Sequence, residues 1–209
     1  MHFNIVNSQG ADLDAMLQEM EDRVDHNQFY QFQNSLTQEE IDRIIKENEL
    51  STHRATTFSG ESDSFRKSDI NWIEKEQNGI DNTWIFQRIA NMAIEANSRL
   101  FNFNLFGMFE GLQYTKYDGS EDGFYCKHVD HGKNFYKRKI SVVIQLSDPD
   151  SYEGGDLLTH TANSPNVMPK GLGTTVLFPS WMLHEVTPVT KGIRRSLVCW
   201  VSGDRKSVV

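Results

Sequence analysis

Residues 138–146 read RKISVVIQL, a short run that is rich in β-branched side chains. Such a run predicts a strand. Six similar runs, divided by Gly, Pro, Asp and Asn, span residues 109–117, 123–129, 156–161, 174–178, 184–186 and 196–202. Since no helical pattern separates these seven predicted strands, the second half of the chain favours an antiparallel sandwich or jelly roll over a βαβ fold.

The first half of the chain shows helical spacing instead. Residues 11–24 predict a short amphipathic helix. Thr37 and Glu40, three residues apart, predict a capping box at the start of a second helix. A third helix is expected to start at Asn82 or Thr83, because apolar residues then recur at intervals of three and four residues. They are Ile85, Ile89, Met92, Ala96 and Leu100.

Two other segments of the first half are not helical in pattern. Residues 29–32 are aromatic and suggest a strand, whereas residues 52–70 are polar and irregular and predict a long loop. We therefore predict one α+β domain, mainly β. Residues 1–104 form a flank of helices and strand, and residues 105–209 form a double-stranded β-helix (jelly-roll) core. The N-terminal helices are expected to pack against one sheet of this core.

The charge and the cysteine usage exclude several classes of protein. The 209 residues have a formal net charge of -8, which argues against a protein that binds nucleic acid by neutralising phosphates. Cys126 and Cys199 form no CxxC motif, so we expect free thiols in a reducing cytoplasm. No secretory segment opens the chain and no apolar run approaches 18 residues, so neither a membrane span nor a membrane partner is predicted.

The first candidate site is the triplet His128-Val-Asp130. Residues two apart in a strand face the same way, so the imidazole and the carboxylate can converge. Alone, such a pair is more often a hydrogen-bonded surface pair. His184, however, follows a turn-like Pro179-Ser180 and begins a short strand. Two imidazoles and one carboxylate are the ligand set of non-heme Fe(II) oxygenases, although they also accept zinc or manganese.

A candidate anion site lies ten residues past His184. Arg194 and Ser196 would share one face of a strand, while Arg195 would point the other way. A guanidinium binds a carboxylate in a bidentate manner, and a hydroxyl adds a third hydrogen bond. We therefore expect Arg194 to point inward and to anchor a small dicarboxylate.

An ordered string of motifs extends these sites across about residues 105–203. It consists of QYTKY at 113–117, GFY at 123–125, HVD at 128–130, VVIQLSDP at 142–149, YEGGDL at 152–157, GTTVLFP at 173–179, HEVTPV at 184–189 and GIRRS at 192–196. The string resembles the prolyl 4-hydroxylase branch of the Fe(II)- and 2-oxoglutarate-dependent dioxygenases, near its bacterial and phage-type members. For a phage-encoded member, the compartment would be the host cytoplasm.

The resemblance implies roles for individual residues. His128, Asp130 and His184 would bind Fe(II), and Arg194 would bind the far carboxylate of 2-oxoglutarate. Tyr117 matches a tyrosine that reaches toward this co-substrate, and Gln145 stands where many relatives carry another such tyrosine. Collagen-like substrates are not implied, because the animal collagen-type enzymes carry a lysine at the position of Arg194.

The resemblance also implies a reaction. With O2, a peptidyl proline is hydroxylated while 2-oxoglutarate is decarboxylated to succinate and CO2, and ascorbate use is a family expectation. One alternative keeps these cofactors but hydroxylates another amino-acid side chain or a small molecule. A second alternative is a jelly-roll module that holds a metal without turnover. Residues 133–139, basic and aromatic, are interpreted as a solvated strand entry, or else as a rim that attracts an acidic peptide.

Overall fold

The computed structural model of the protein describes residues 29–56, 63–161 and 164–205. The helix that we predicted over residues 11–24 lies outside these ranges. Among the described residues, no helix combines the length and the apolar composition needed to cross a membrane.

The first described helix, α1, spans Gln38–Asn48 and starts as predicted. The backbone N–H of Glu40 donates to Thr37 Oγ1 at 3.2 Å, and the backbone N–H of Thr37 donates to Glu40 Oε2 at 2.9 Å. This reciprocal pair satisfies two backbone donors that the helix leaves free, and it confirms the capping box. Ile41 and Ile44 form the buried stripe of the helix.

The second helix, α2, spans Thr83–Ala96 and continues as a π-helical turn over Asn97–Phe101. Ile85, Ile89, Met92 and Ala96 are buried, but Leu100, the last residue of the predicted periodic pattern, is 44% exposed. The π-turn changes the helical period, so that a residue four positions after Ala96 no longer faces the core. The side chain of Asn97 then ends the helix by hydrogen bonding to both backbone groups of Phe103.

Strands form two antiparallel sheets. The major sheet has the order β1-β14-β10-β16-β8-β4-β2, and β7 and β11 pair with other parts of the long β16. Its strands are β1 (Tyr30–Phe32), β2 (His53–Arg54), β4 (Asp69–Ile73), β7 (Phe103–Gly107), β8 (Leu112–Asp118), β10 (Arg138–Gln145), β11 (Tyr152–Gly154), β14 (Thr175–Pro179) and β16 (Val189–Arg205).

The minor sheet has the order β13-β12-β15-β9-β3. Its strands are β3 (Arg66–Lys67), β9 (Phe124–His128), β12 (Leu157–Thr159), β13 (Asn166–Val167) and β15 (His184–Val186). A separate hairpin joins β5 (Glu76–Gln77) to β6 (Ile80–Asp81).

Two hydrophobic clusters show how these layers stack. The outer cluster joins both helices to the major sheet and contains Ile41, Ile44, Ile85, Ile89, Leu112, Ile140, Val142 and Leu197. The inner cluster lies between the two sheets and contains Tyr117, Val143, Leu157, Val176, Phe178 and Val186. The helices therefore cover one face of the major sheet while the minor sheet covers the other, which confirms the predicted jelly roll.

Several strand predictions were wrong in detail. The predicted loop over 52–70 contains β2, β3 and the start of β4. These short polar strands pair at sheet edges, where the partner strand rather than the local pattern determines the conformation. β16 is 17 residues long rather than seven, and it continues past Gly192, whose φ of 71° suits glycine. The predicted division at residue 104, which falls inside β7, stays a prediction.

One ion-pair cluster ties the end of α1 to β16. Glu49 accepts from Arg195 Nε and Nη2, both at 2.9 Å, and from the hydroxyl of Tyr114. Lys116 Nζ lies 3.7 Å from the same carboxylate. The hydrogen bonds from Arg195 lower the pKa of Glu49 to about 2, against the opposing effect of burial.

We expect Glu49→Gln to lower the free energy of unfolding at pH 7 by about 1–3 kcal/mol, because it leaves Arg195 without its anion. The pKa of this carboxyl is depressed from 4.5 to about 2. The stabilisation is therefore fully present above about pH 4.5 and is lost as the pH falls toward 2. Urea unfolding at pH 7 and at pH 3 should show a smaller difference between the two proteins at pH 3. Glu47→Gln, which removes a surface pair with Arg43, is the matched control, and we expect it to change stability by less than about 0.5 kcal/mol.

Candidate metal centre and co-substrate cavity

The two histidines of the candidate site come from neighbouring strands of the minor sheet. β9 ends at His128, β15 begins at His184, and the two residues are direct partners in the antiparallel ladder. Asp130 lies just beyond β9. The sequence pattern had instead suggested that Asp130 and His128 share one strand. The carbonyl of Ser180 accepts from the backbone N–H groups of Asp130 and His131, both at 2.9 Å, and so fixes this loop beside β15. The three side chains offer ligand atoms within 4.8 Å of one another.

Hydrogen bonds orient both imidazoles. His128 Nδ1 lies 2.7 Å from the carbonyl oxygen of Cys126, and His184 Nδ1 lies 2.8 Å from that of Met182. Since a carbonyl oxygen only accepts, each Nδ1 carries a proton, so the neutral form of each imidazole presents its lone pair on Nε2. The Nε2 atoms lie 3.7 Å and 3.5 Å from the two oxygens of Asp130. Ser141 Oγ donates to Asp130 Oδ2 at 2.7 Å.

The protonation states suit a divalent cation. Burial and the neighbouring His184 lower the pKa of His128 to about 4. Burial opposes ionisation of Asp130, but the adjacent His184 and His128 and the hydrogen bond from Ser141 lower its pKa. A neutral imidazole at His128 and a carboxylate at Asp130 are therefore available at neutral pH, beside the imidazole of His184. This donor set fits the 2-His-1-carboxylate type that binds non-heme iron.

A cavity of about 580 Å³ extends from this cluster along the inner face of the major sheet. Gln113, Thr115 and Tyr117 of β8 point into it, as do alternate residues of β16, namely Arg194, Ser196, Val198 and Trp200. The register pairs Arg194 with Tyr117 and Val198 with Gln113, so one ladder forms the floor of the cavity. Because β-strand side chains alternate, β16 can line this cavity while its other residues contact the helices.

Arg194 lies at one end of the cavity and is only 1% exposed. Its Nη2 donates to Gln145 Oε1 at 3.0 Å, and its guanidinium lies over the ring of Tyr117, 5.4 Å from the centroid. Nε and Nη1 are buried and have no hydrogen-bond partner among the described residues. Unmet donors on a buried cation are costly, so this guanidinium fits an anionic ligand such as a carboxylate. Arg195 points to the opposite face, where it binds Glu49.

The other sequence-predicted residues lie around Arg194. Tyr117 and Ser196 line the cavity beside it. Gln145 contacts the guanidinium from β10, and its Nε2 donates to the carbonyl of Pro169 at 3.3 Å. The structure thus places Gln145 where it orients Arg194.

Sequence reasoning missed a clamp that supports Asp130. Arg138 donates through Nε to Glu110 at 2.8 Å and through Nη1 to the backbone carbonyl of Asp130 at 3.3 Å. Its guanidinium is stacked between the rings of Trp200 and Phe135, 3.7 Å and 3.9 Å from their centroids. The interpretation of residues 133–139 as a solvated strand entry is therefore wrong for Arg138 and for the buried Lys139. Arg138 is the first residue of β10, where every residue is buried and a register shift between Arg138 and Ile140 interrupts the alternation, so the strand pattern gave no signal for its position.

The remaining histidines near the site have other partners. His131 lines the cavity, and its Nδ1 lies 3.2 Å from the carbonyl of Arg138. His160 pairs with Glu185 at 2.9 Å. Within the described residues, neither belongs to the metal-ligand cluster.

Comparison with known proteins relates this geometry to a family. Residues 112–202 match the sequence profile described as "2OG-Fe(II) oxygenase superfamily". A PKHD-type hydroxylase of Teredinibacter turnerae is 41% identical over 85 residues, which are 38% of each chain. Another, from Rippkaea orientalis, is 29% identical over 119 residues, 55% of this chain and 53% of that one. The similarity thus spans about two fifths to one half of the length of these curated relatives.

Solved structures share the fold over most of the chain. A prolyl hydroxylase from Trichoplax adhaerens, solved in complex with a hypoxia inducible factor oxygen degradation domain peptide fragment, has a TM-score of 0.73 and 20% identity, and covers 90% of this chain and 93% of its own. A Pseudomonas putida prolyl-4-hydroxylase has a TM-score of 0.68 and 19% identity, and covers 92% of this chain and 100% of its own.

Proposed function

We propose that the protein is a dioxygenase that hydroxylates a peptidyl proline and releases succinate and CO2, because residues 112–202 match the profile of the 2OG-Fe(II) oxygenase superfamily. One observation carries this proposal. A single cavity holds the His128, Asp130 and His184 cluster together with the buried Arg194, which has two unmet donors. A metal ligand set and an anion anchor in one cavity are the requirements for chelating a keto diacid beside iron.

The proposed roles follow from the contacts. His128, Asp130 and His184 hold Fe(II), which when bound supplies the activation of O2. Arg194 and Ser196 bind the far carboxylate of 2-oxoglutarate. Tyr117 supports the guanidinium from below, and Gln145 fixes its orientation. No side chain is assigned as a general acid or base.

The walls around these groups are apolar. Val143, Leu157, Val186 and Val198 line the same cavity as Arg194 and the imidazoles. A low dielectric strengthens the attraction between the guanidinium and a carboxylate. Specific binding of the co-substrate at this end is therefore favoured over binding elsewhere on the acidic protein.

The substrate assignment rests on two kinds of support. Similar proteins include PKHD-type hydroxylases and solved prolyl hydroxylases, one of them holding a peptide. The cavity also reaches the surface at the exposed residues Lys133 and Phe135, where a peptide can enter. We propose a proline-containing peptide or protein as the partner, ascorbate as a reductant and the cytoplasm as the compartment.

Succinate release tests the proposal. After anaerobic loading with Fe(II), the protein is mixed with 2-oxoglutarate and O2, with and without proline-containing peptides. We expect release that is about 100-fold or more above that of His128→Ala, since this variant lacks one of three metal ligands. Equal rates in the two proteins would reject the oxygenase assignment.

A peptide library then tests the proline assignment, by a mass gain of one oxygen on a proline residue. Oxidation of free proline, or of another residue only, would contradict a peptidyl proline substrate and favour the alternative with the same cofactors.

A further inference from the structure

A second buried arginine lies in the same cavity, away from Arg194. Arg66 is in β3, at the edge of the minor sheet, and it is only 6% exposed. Its guanidinium lies over the ring of Tyr125, 4.5 Å from the centroid. Arg66 has no role in the function proposed above, so its burial at the cavity wall calls for a ligand.

The hydrogen-bond partners of Arg66 are neutral. Nε donates to Ser68 Oγ at 2.8 Å, and Nη2 donates to Gln113 Oε1 at 2.9 Å. Across residues 29–56, 63–161 and 164–205, no carboxylate forms an ion pair with it. Arginine is rarely buried without an anion, because desolvation of its charge is costly. Within the described part of the chain, the cavity therefore presents a guanidinium whose charge no carboxylate compensates.

The co-substrate cannot supply the missing anion. Arg66 contacts Gln113, whereas Arg194 pairs with Tyr117, four residues further along β8. Four residues of strand correspond to about 13 Å. A five-carbon diacid held by Arg194 and the metal cluster does not reach across this span to Arg66. The ligand of Arg66 is consequently a different molecule.

Ring contacts place this second cation close to the metal cluster. The ring of Tyr125 stacks between Arg66 and His128, with its centroid 3.6 Å from that of the imidazole. A group bound by Arg66 thus lies next to the metal centre. The reacting carbon of a substrate also has to lie next to the metal centre.

We propose that Arg66 binds a carboxylate of the substrate, an inference that rests on the proposed function. The guanidinium is a planar fork that matches a carboxylate, and the side chains of Thr56 and Thr115 line the cavity nearby. Lys133, also at the cavity, adds a second positive charge at the surface. The carboxylate is either the α-carboxylate of an amino acid or chain end, or an acidic side chain next to the target residue.

Matched carboxylate and amide probes test this site. The protein is loaded with Mn(II) in place of Fe(II) and saturated with 2-oxoglutarate, so that binding is measured by calorimetry without turnover. Each coded amino acid is offered as its N-acetyl derivative and as the corresponding N-acetyl amide, which tests the α-carboxylate. N-acetyl dipeptide amides that end in aspartate or in asparagine test the side-chain carboxylate.

We expect the wild type to bind the carboxylate member of at least one pair about tenfold or more tightly than the amide, since ionised hydrogen bonds are the stronger ones. Arg66→Gln should reduce this preference to within about twofold, and Arg66→Lys should keep part of it. Arg43→Gln, an exposed helix residue distant from the cavity, should preserve the whole preference. Thermal melting of each variant checks its fold, and Arg66→Lys keeps the test valid if the glutamine variant does not fold.

Two outcomes would overturn the carboxylate site. Either no probe is preferred over its amide by the wild type, or the preference survives in folded Arg66→Gln. The affinity of the wild type for 2-oxoglutarate, measured on the same samples, reports on the proposed function separately. If the wild type does not bind 2-oxoglutarate, the proposed function is rejected. If it binds 2-oxoglutarate but shows no carboxylate preference, only the role of Arg66 is rejected.

Discussion

Arg194→Gln should weaken binding of 2-oxoglutarate by about 100-fold or more, because truncating one member of a buried charge pair costs about 2–5 kcal/mol or more. The variant removes the two buried donors that have no partner in the described part of the chain. Arg194→Lys should recover part of the affinity, since an ammonium keeps the charge but not the bidentate fork. Calorimetric titration of the Mn(II)-loaded protein with 2-oxoglutarate measures both effects.

The adjacent residue provides a matched control. Arg195 is the next residue of β16 but points away from the cavity, toward Glu49. Arg195→Gln should therefore lower stability and retain the affinity for 2-oxoglutarate. If both arginine variants bound the co-substrate as the wild type does, Arg194 would not be its anchor. If both lost it equally, the loss would reflect a damaged strand rather than a missing contact.

The contrast between these two arginines shows what the sequence could predict. Strand alternation alone indicates that neighbours in β16 face opposite sides, and the position of Ser196 two residues on indicates a common face with Arg194. The same reasoning applied to β10, where Ser141, Val143 and Gln145 alternate with core residues, places all three toward the inside. Local periodicity is therefore sufficient to predict the direction of a side chain where its partners lie on the same strand or on a strand paired with it.

The structure adds what periodicity does not contain. Arg66 lies in a polar segment that we expected to be a loop, and its burial depends on Gln113, 47 residues away. Asp130 reaches the histidines because the carbonyl of Ser180 holds its backbone, not because it continues β9. Glu110 and Arg138 likewise meet only through the tertiary fold. Each of these contacts joins distant segments, so a single sequence gives no pattern from which to derive it.

Metal affinity should decrease in a graded way around Asp130. Asp130→Ala removes the only charged ligand of the cluster, and we expect Mn(II) affinity to fall by more than about 100-fold. Ser141→Ala removes the hydroxyl that donates to Asp130 Oδ2 at 2.7 Å and leaves the ligands in place. Loss of such an outer partner typically costs about 10–100-fold in metal affinity. The amount of free Mn(II), followed by electron paramagnetic resonance during a titration, measures both variants.

A smaller loss of Mn(II) affinity in Ser141→Ala than in Asp130→Ala would support the observed contact between the serine hydroxyl and the carboxylate. His160→Ala serves as the control, because His160 pairs with Glu185 and lies outside the ligand cluster, so its removal should leave Mn(II) affinity unchanged. Wild-type affinity in Asp130→Ala would show that the metal binds elsewhere. Unchanged affinity in Ser141→Ala, together with a loss in Asp130→Ala, would show that the carboxylate is oriented by the loop backbone rather than by the serine hydroxyl.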